Sequence, residues 1–233
     1  MEAIILHRAP YGEADRILEM MTREIGKIAV IAKHAGKSRK RFGQVLDYFN
    51  ILDISARQGK GGLAFLEEAS LVETYPELRL DMERLHLAFD LLEMMRAAVH
   101  EGQPEPEKYQ LLKDSLDFVS HLPSTAALKA AFQLRLLVLA GVGPNFSECC
   151  ECGRRHGSEL QGEWRLMWGR GGLVCRACSH TIPPGEIGFS LSELALVWME
   201  AASRLGPNVL RDIAPHPPEV IRAAEQCIQY YLR

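Results

Sequence analysis

The first seventy or so residues carry short apolar runs separated by turn residues, a pattern that predicts β-strands rather than helices. A glycine closes the stretch Thr22–Gly26, which predicts a hairpin loop between the second and third runs, and the glycine-rich stretch 59–62 predicts another turn. Five strands in so short a segment leave no room for helical crossovers, so we expect a small closed antiparallel barrel of the OB-fold type. The predicted strands are 3–7, 16–22, 27–32, 45–55 and 63–72.

Near Tyr75-Pro76 the spacing of apolar residues changes to a helical period. Short connections between the predicted helices favour antiparallel packing around a common core. The fold class is therefore α+β: a barrel domain at 1–78 and a helical domain at 79–233. The signals that begin or end helices are Asp81, Gly102, Pro104 and Pro106, Ser124 or Thr125, Gly141, the capping-box spacing Ser190–Glu193, Gly206 and Pro217-Pro218.

Four cysteines interrupt the helical part at about 145–185. Cys149 and Cys152 form one Cys-x-x-Cys knuckle, and Cys175 and Cys178 form a second after 22 intervening residues. Two such knuckles complete the tetrahedral thiolate shell of a structural Zn²⁺ site. The alternatives are a disulfide pair or plain buried thiols, and Cys150 is a further candidate ligand. We expect this loop to pack as a satellite on the helical domain.

The formal net charge is only -3, so any surface that binds anions must be local. Between Lys33 and Gly43, five of eleven residues are Lys or Arg and none is acidic. A glycine-containing cationic loop on an OB barrel suits a nucleic-acid backbone, although a solvated surface loop would look the same. Candidate base-stacking aromatics on the barrel are Tyr11, Phe42, Tyr48 and Phe49.

Motifs for catalysis are missing from the sequence. It contains no Gly-x-Ser-x-Gly elbow, no His-Glu-x-x-His and no deaminase signature, which favours a binding protein over an enzyme. His156 and His180 lie near the knuckles in the sequence, and they are candidates either to hydrogen-bond to the ligands or to replace one of them. No apolar run is long enough for a membrane helix and no basic leader precedes one, so we expect a soluble cytoplasmic protein.

Several motifs occur in the order seen in the RecO family of bacterial DNA repair proteins, which the chain resembles over nearly its whole length. The motifs are Tyr11–Arg16, Thr22–Lys27, the basic Gly36–Arg41, Leu78–Asp81 with Arg84, Leu134–Leu137, Gly143–Asn145, Cys149–Gly153 and Gly171–Cys175. Members of that family usually continue past the last helix with a basic end, so this resemblance implies a short form or a truncation after Arg233.

The resemblance implies a recombination mediator that binds single- and double-stranded DNA and anneals complementary strands. It also implies that the protein associates with RecR and with the acidic, apolar tail of single-strand-binding protein, and so helps to load the strand-exchange recombinase at the nucleoid. The implied DNA contacts are Lys37, Arg39, Lys40 and Arg41, with Arg16, Arg23, Lys27 and Lys33 as weaker candidates. Lys129 and Arg135 are candidates for the tail's carboxylates.

Other classes of protein remain open at this point. A zinc enzyme would use Cys149, Cys152 and Cys175 and leave a fourth coordination position free. A redox protein would use one Cys-x-x-Cys pair, but the thioredoxin-like strand and helix context is missing. A zinc-ribbon transcription factor is the other binding protein that fits.

Overall fold

The computed structural model describes residues 1–35, 42, 45–59, 63–121, 126–157, 163–212 and 218–231. These residues divide into two compact units, Met1–Ser124 and Thr125–Arg233. The predicted boundary after residue 78 falls where strands give way to helices, and the first unit extends past it to include two helices. That boundary stays a prediction.

The first unit begins with a closed five-stranded barrel, which confirms the predicted fold class. Four of its five strand pairings are antiparallel, and a short parallel pairing between the third and fifth strands closes it. The order around the barrel is β1-β2-β3-β5-β4. The strands are β1 Glu2–Tyr11, β2 Asp15–Thr22, β3 Gly26–Ala32, β4 Asn50–Gln58 and β5 Ala64–Thr74.

Alternating side chains fill the barrel, as the period of a strand requires. Leu18 and Met20 point inward from β2, whereas the intervening Glu19 points outward. The β2–β3 hairpin has the predicted position, with Thr22 paired to Gly26. The buried residues of this core are Ala3, Ile5, Leu18, Met20, Val30, Ala32, Phe42, Leu46, Leu52, Ile54 and Leu66.

Two α-helices follow the barrel among the described residues of the first unit: α1 spans Met82–Ala98 and α2 spans Pro106–His121. Asp81 caps α1 as predicted, because its carboxylate accepts hydrogen bonds from the backbone N–H groups of Glu83 and Arg84. The buried Lys108 donates to the Ala98 carbonyl at the other end of α1, at 2.8 Å. Both ends of this helix therefore have side-chain partners.

Within its described residues, the second unit combines four α-helices with a four-stranded sheet of order β6-β8-β7-β9. The strands are β6 Asn145–Cys149, β7 Trp164–Met167, β8 Gly172–Cys175 and β9 Gly188–Leu191. The helices are α3 Ala126–Leu139, α4 Glu193–Leu205, the short α5 Val209–Asp212 and α6 Pro218–Tyr231. The predicted helix starts at Ser124 or Thr125 and at Pro217 lie outside the described residues.

The cysteine region is part of the core of this unit, so the prediction of a satellite was wrong. Trp164 and Leu173 of the sheet pack in one buried cluster with Leu134 of α3, Trp198 of α4 and Ala224 of α6. Periodicity did not indicate this, because each sheet strand has only four or five residues.

The residue that caps α4 also differs from the one that the predicted capping box indicated. Ser192 is the N-cap, and its hydroxyl accepts a hydrogen bond from the Ala195 backbone N–H. Ser190, the serine of the predicted capping box, lies on β9 opposite Arg165 and donates to Glu163 instead. Across the described ranges, no helix is long and apolar enough to cross a membrane.

Candidate metal centre and nucleic-acid interface

The two knuckles leave the sheet at the same edge. Cys149 is the last residue of β6 and Cys175 is the last residue of β8, and these strands are parallel neighbours. Because parallel strands end side by side, the residues that follow them are brought together. Cys152 follows in the turn after β6, and Cys178 lies in the 3-10 helix Arg176–Thr181 after β8.

The four sulfur atoms have the spacing of a metal site. All four Sγ atoms lie within 4.8 Å of one another, and those of Cys152 and Cys175 are 3.8 Å apart. Tetrahedral coordination with metal–sulfur bonds of about 2.3 Å places ligand sulfurs about 3.8 Å apart. A disulfide would need about 2.05 Å, and all six cysteines are free. The cluster could therefore hold a metal ion, and it already contains four ligands.

The other candidate ligands have different surroundings. Cys150 is exposed and is not in the sulfur cluster, and its backbone N–H pairs with the Leu173 carbonyl. His156 Nε2 lies 2.5 Å from Glu200 Oε2, and His180 Nδ1 lies 2.9 Å from the Ala177 carbonyl oxygen. Neither histidine belongs to the sulfur cluster, so the structure does not support their predicted role as substitute ligands.

Backbone dipoles favour the thiolate form at Cys149. Burial alone would raise the pKa of this thiol, but backbone N–H groups of Cys175, Cys152 and Glu151 point at the sulfur and lower the pKa to about 7. The Cys175 N–H lies 3.4 Å from Cys149 Sγ. Hydrogen bonds from sulfur to sulfur, chiefly with Cys152, raise the pKa of Cys178 to about 12. A bound cation would favour the deprotonated form of all four neighbouring sulfurs.

The predicted DNA contacts that the structure describes fall at the two ends of the β2 and β3 strands. Lys37, Arg39, Lys40 and Arg41 lie outside the described residues. Arg16 lies opposite Ala32 at the end of β3, and Lys33 follows directly. Arg23 and Lys27 belong to the β2–β3 hairpin, at the other end of the same strands. Six residues at about 3.3 Å each separate Lys27 from Lys33 by roughly 20 Å.

The hairpin end is occupied by contacts within its own unit. Lys27 Nζ donates to the Arg96 carbonyl at 3.3 Å, and its backbone pairs with His100 and Gly102. Arg23 is exposed, and its backbone N–H donates to the Glu2 carbonyl. The Lys27 amine is therefore turned toward α1, whereas Arg16 and Lys33 lie where the basic stretch begins. Lys33 also forms a 2.7 Å ion pair with Asp15.

The closing strand pair adds two residues that the sequence did not indicate. Phe65 of β5 lies opposite Ile31 of β3 and opposite Arg57 of β4. The Arg57 guanidinium lies over the Phe65 ring, 5.7 Å from its centroid, and is paired with Glu67. We call Arg16, Lys33, Arg57 and Phe65 the β3-end cluster. Its aromatic ring and cations lie beside the strand from which the basic stretch departs.

Most of the predicted stacking aromatics have other roles. Phe42 and Phe49 are buried, at 2% and 1% exposure, and belong to the interior. Tyr48 accepts a hydrogen bond from the Arg8 backbone N–H, and its ring lies 4.3 Å from the Arg8 guanidinium carbon. Tyr11, at 47% exposure, is the one of the four predicted aromatics that faces solvent widely.

Arg135 lies beside an open cavity in the second unit. The cavity has a volume of about 310 Å³, and Val138, Phe146, Ser203 and Arg204 contribute to its walls. Arg135 Nη1 donates to the Ser203 carbonyl at 3.4 Å, which places its charge next to this wall. Lys129 lies on the same helix, α3, six residues earlier.

Together, the barrel and the four-thiolate cluster define a class of protein: a small OB-like barrel followed by a helical unit built around a candidate metal centre. Models of known protein families match both the barrel part and the helical part of the chain. Residues 1–75 match the model "Recombination protein O N terminal" and residues 79–233 match "Recombination protein O C terminal".

Similar proteins span the whole chain. A protein named DNA repair protein RecO from Anaeromyxobacter sp. (strain K) is 34% identical over 235 residues, covering 100% of this chain and 89% of the relative. One of the same name from Rubrobacter xylanophilus is 33% identical over 212 residues, covering 87% of the chain and 83% of the relative. The chain belongs to the RecO family.

Proposed function

We propose that this chain is a recombination mediator in DNA repair. It binds single- and double-stranded DNA, anneals complementary strands and, with RecR and single-strand-binding protein, helps to load the strand-exchange recombinase. The observation that carries the proposal is the match of both parts of the chain to the RecO family, in the order barrel then helical unit.

The barrel supports DNA binding through charge and stacking. OB-folds bind oligonucleotides across the face of their second and third strands and through the loops beside it. Here the β3-end cluster supplies cations and one aromatic ring at one end of these strands. Lys37, Arg39, Lys40 and Arg41 follow β3 along the chain and supply further positive charge. Such a surface would neutralise phosphates and stack bases without reading their sequence.

Annealing requires no bond chemistry in this proposal. Two phosphate backbones repel each other, and cations placed between them lower the cost of bringing complementary strands together. Pairing itself then supplies the free energy. The chain therefore acts by binding and is not an enzyme.

The metal that the four cysteines would hold is Zn²⁺. Cys149, Cys152, Cys175 and Cys178 supply four soft thiolates, which suit zinc and fill a tetrahedral shell. A bound zinc ion would brace the ends of β6 and β8, and a shell filled by four protein ligands has no position for substrate. The role of the ion is therefore structural.

The helical unit would recruit the partner that already coats single strands. The tail of single-strand-binding protein is acidic and apolar, so its receptor needs a cation beside an apolar recess. Arg204 supplies a cation at the cavity wall, and Val138 and Phe146 supply apolar side chains there. Arg135 adds a second cation beside the wall, where it donates to the Ser203 carbonyl. Lys129, on the same helix, is the further predicted contact.

An annealing assay tests the function. Complementary strands are precoated with single-strand-binding protein, either full-length or without its terminal tail, and annealing is followed by fluorescence energy transfer. We expect the chain to accelerate annealing, and deletion of the tail to remove most of the acceleration. Equal rates with and without the tail would refute the partner, and no acceleration in either case would refute the mediator.

The salt dependence of DNA affinity tests the basic stretch. For single strands, each neutralised phosphate contributes about 0.7 to the slope of log affinity against log salt concentration. Replacement of Lys37, Arg39, Lys40 and Arg41 by alanine should therefore lower the slope by up to about 3. The matched control replaces Arg154 and Arg176, exposed cations of the second unit, and should leave the slope unchanged.

A further inference from the structure

One arginine side chain joins both cysteine knuckles. Arg170 lies in the 3-10 turn Trp168–Arg170 between β7 and β8, and 19% of its side chain is exposed. Its guanidinium contacts Glu151, inside the first knuckle, and Thr181, three residues beyond Cys178 of the second. Glu186, in the segment leading to β9, is its third partner. Nothing in the Cys-x-x-Cys spacing indicates this residue.

All three guanidinium nitrogens have partners. Nε donates to both carboxylate oxygens of Glu186, at 3.0 and 3.2 Å. Nη2 donates to Glu186 Oε2 at 3.1 Å and to the Thr181 carbonyl at 2.8 Å. Nη1 donates to the Thr181 hydroxyl at 3.2 Å and to the Glu151 carboxylate. A planar fork can bridge three segments in this way, whereas the single ammonium of lysine cannot.

The contacts continue from Arg170 to the ligands themselves. On one side, Glu151 lies between the ligand candidates Cys149 and Cys152 in the first knuckle. On the other side, the Thr181 hydroxyl donates to the Cys178 carbonyl at 2.8 Å. One cation thus fixes the chain next to a ligand in each knuckle.

Charge balance gives the same side chain a second effect. Four thiolates around Zn²⁺ carry a formal charge of about -2, and Glu151 and Glu186 add negative charge nearby. A full positive charge held against the knuckles offsets part of this. Outer-shell partners of this kind orient ligands and tune metal affinity.

We infer that Arg170 is a positioning residue of the metal centre, which holds the two knuckles in place and slows the loss of the ion. This inference rests on the zinc site proposed above. Arg170 is not a ligand, but it would control how long the metal stays bound.

Metal release measures this role directly. Zinc-loaded chain is mixed with a chromophoric chelator, and the rate of zinc transfer is followed by absorbance. We expect Arg170→Gln to release zinc about tenfold faster than the unmodified chain. Arg170→Lys retains the charge but loses the fork, and we expect it to release zinc nearly as fast as Arg170→Gln. The control Arg222→Gln, an exposed cation of α6 outside both knuckles, should not change the rate.

Milder variants and a spectroscopic measurement distinguish loss of the Arg170 contacts from misfolding of the chain. Glu151→Gln and Glu186→Gln each remove one anion and keep Arg170, and each should speed release by a smaller factor. Co²⁺ substitution should show the absorption of a tetrahedral thiolate site in all these variants, because the four ligands remain.

Two outcomes separate this inference from the proposed function. Unchanged release from Arg170→Gln, in a chain that binds one zinc ion, would overturn the role of Arg170 alone. A wild-type chain that binds no zinc would overturn the metal site together with it.

Discussion

Glu19 of β2 and Arg96 of α1 form a two-pronged ion pair. Arg96 Nε lies 2.7 Å from Glu19 Oε2, and Nη2 lies 3.0 Å from Oε1. Glu19 faces outward from the barrel, so this pair ties the outer surface of β2 to α1. A bidentate geometry makes such a pair stronger than an ordinary surface ion pair.

Replacing Glu19 should destabilise the first unit in a pH-dependent way. The hydrogen bond from Arg96 lowers the pKa of the Glu19 carboxyl below 4.5, although burial opposes this. A lowered pKa stabilises the fold at pH values above 4.5, and this contribution is lost as the pH falls through the folded-state pKa. We expect Glu19→Gln to lower the free energy of unfolding by about 1 kcal/mol at pH 7, and by less at acidic pH.

Urea denaturation at a series of pH values measures this difference. The control is Glu24→Gln, an exposed carboxylate in the neighbouring hairpin, which should change stability little at any pH. A constant difference between Glu19→Gln and wild type from pH 7 to pH 3 would contradict the assigned ion pair.

Gly26 should tolerate no side chain. Its φ is +77°, and a Cβ atom there would lie 1.8 Å from the Gln103 carbonyl oxygen. We expect Gly26→Ala to cost roughly 3 kcal/mol, from backbone strain together with steric displacement. The matched control is Gly12→Ala, at φ +59° with no atom within 4 Å, where strain alone should cost about 1 kcal/mol. Thermal denaturation of the two variants checks this, and equal losses would show that the loop of Gln103 moves away.

The two glycines illustrate which parts of the fold could be predicted from the sequence. The hairpin at 22–26 and the cap at Asp81 are local features, because each depends on residues a few positions apart. The approach of Gln103 to Gly26 depends on how a loop between two helices packs on the barrel. No local pattern carries that information.

The candidate sites also contain local features, which the sequence could predict, and features that depend on distant segments, which it could not. The spacing of Cys149, Cys152, Cys175 and Cys178 predicted the cluster that could hold a metal ion, because each Cys-x-x-Cys knuckle is local. Arg57 and Phe65 were missed because the parallel pairing of β3 with β5 joins segments 34 residues apart. Arg170 was missed because its three partners come from separate turns. Ser190 and Ser192 both fit a helix cap, and only the pairing of β9 with β7 distinguishes them.

Loss of one cysteine ligand should remove the metal and loosen the second unit. We expect Cys152→Ser to abolish stoichiometric zinc binding and to lower the melting temperature by about 5 °C, since a ligand that binds only the folded state stabilises it. Cys150→Ser is the matched control, because Cys150 lies outside the sulfur cluster, and it should retain one zinc ion per chain. Metal analysis and calorimetry make the measurement. Zinc loss from Cys150→Ser would show that the ligand set includes Cys150.

Phe65 and Arg57 should affect DNA binding in different ways. An aromatic ring contributes by stacking on bases, so Phe65→Ala should weaken single-strand binding by about 1–3 kcal/mol without changing its salt dependence. Arg57 would contribute by neutralising a phosphate, so Arg57→Gln should lower the salt slope by about 0.7. The control is Lys27→Gln, because the Lys27 amine is hydrogen-bonded to the Arg96 carbonyl at the opposite end of β3. Fluorescence anisotropy of a labelled oligonucleotide at several salt concentrations separates these effects. A slope that falls for Lys27→Gln and not for Arg57→Gln would place the DNA at the hairpin end of the barrel, away from the β3-end cluster.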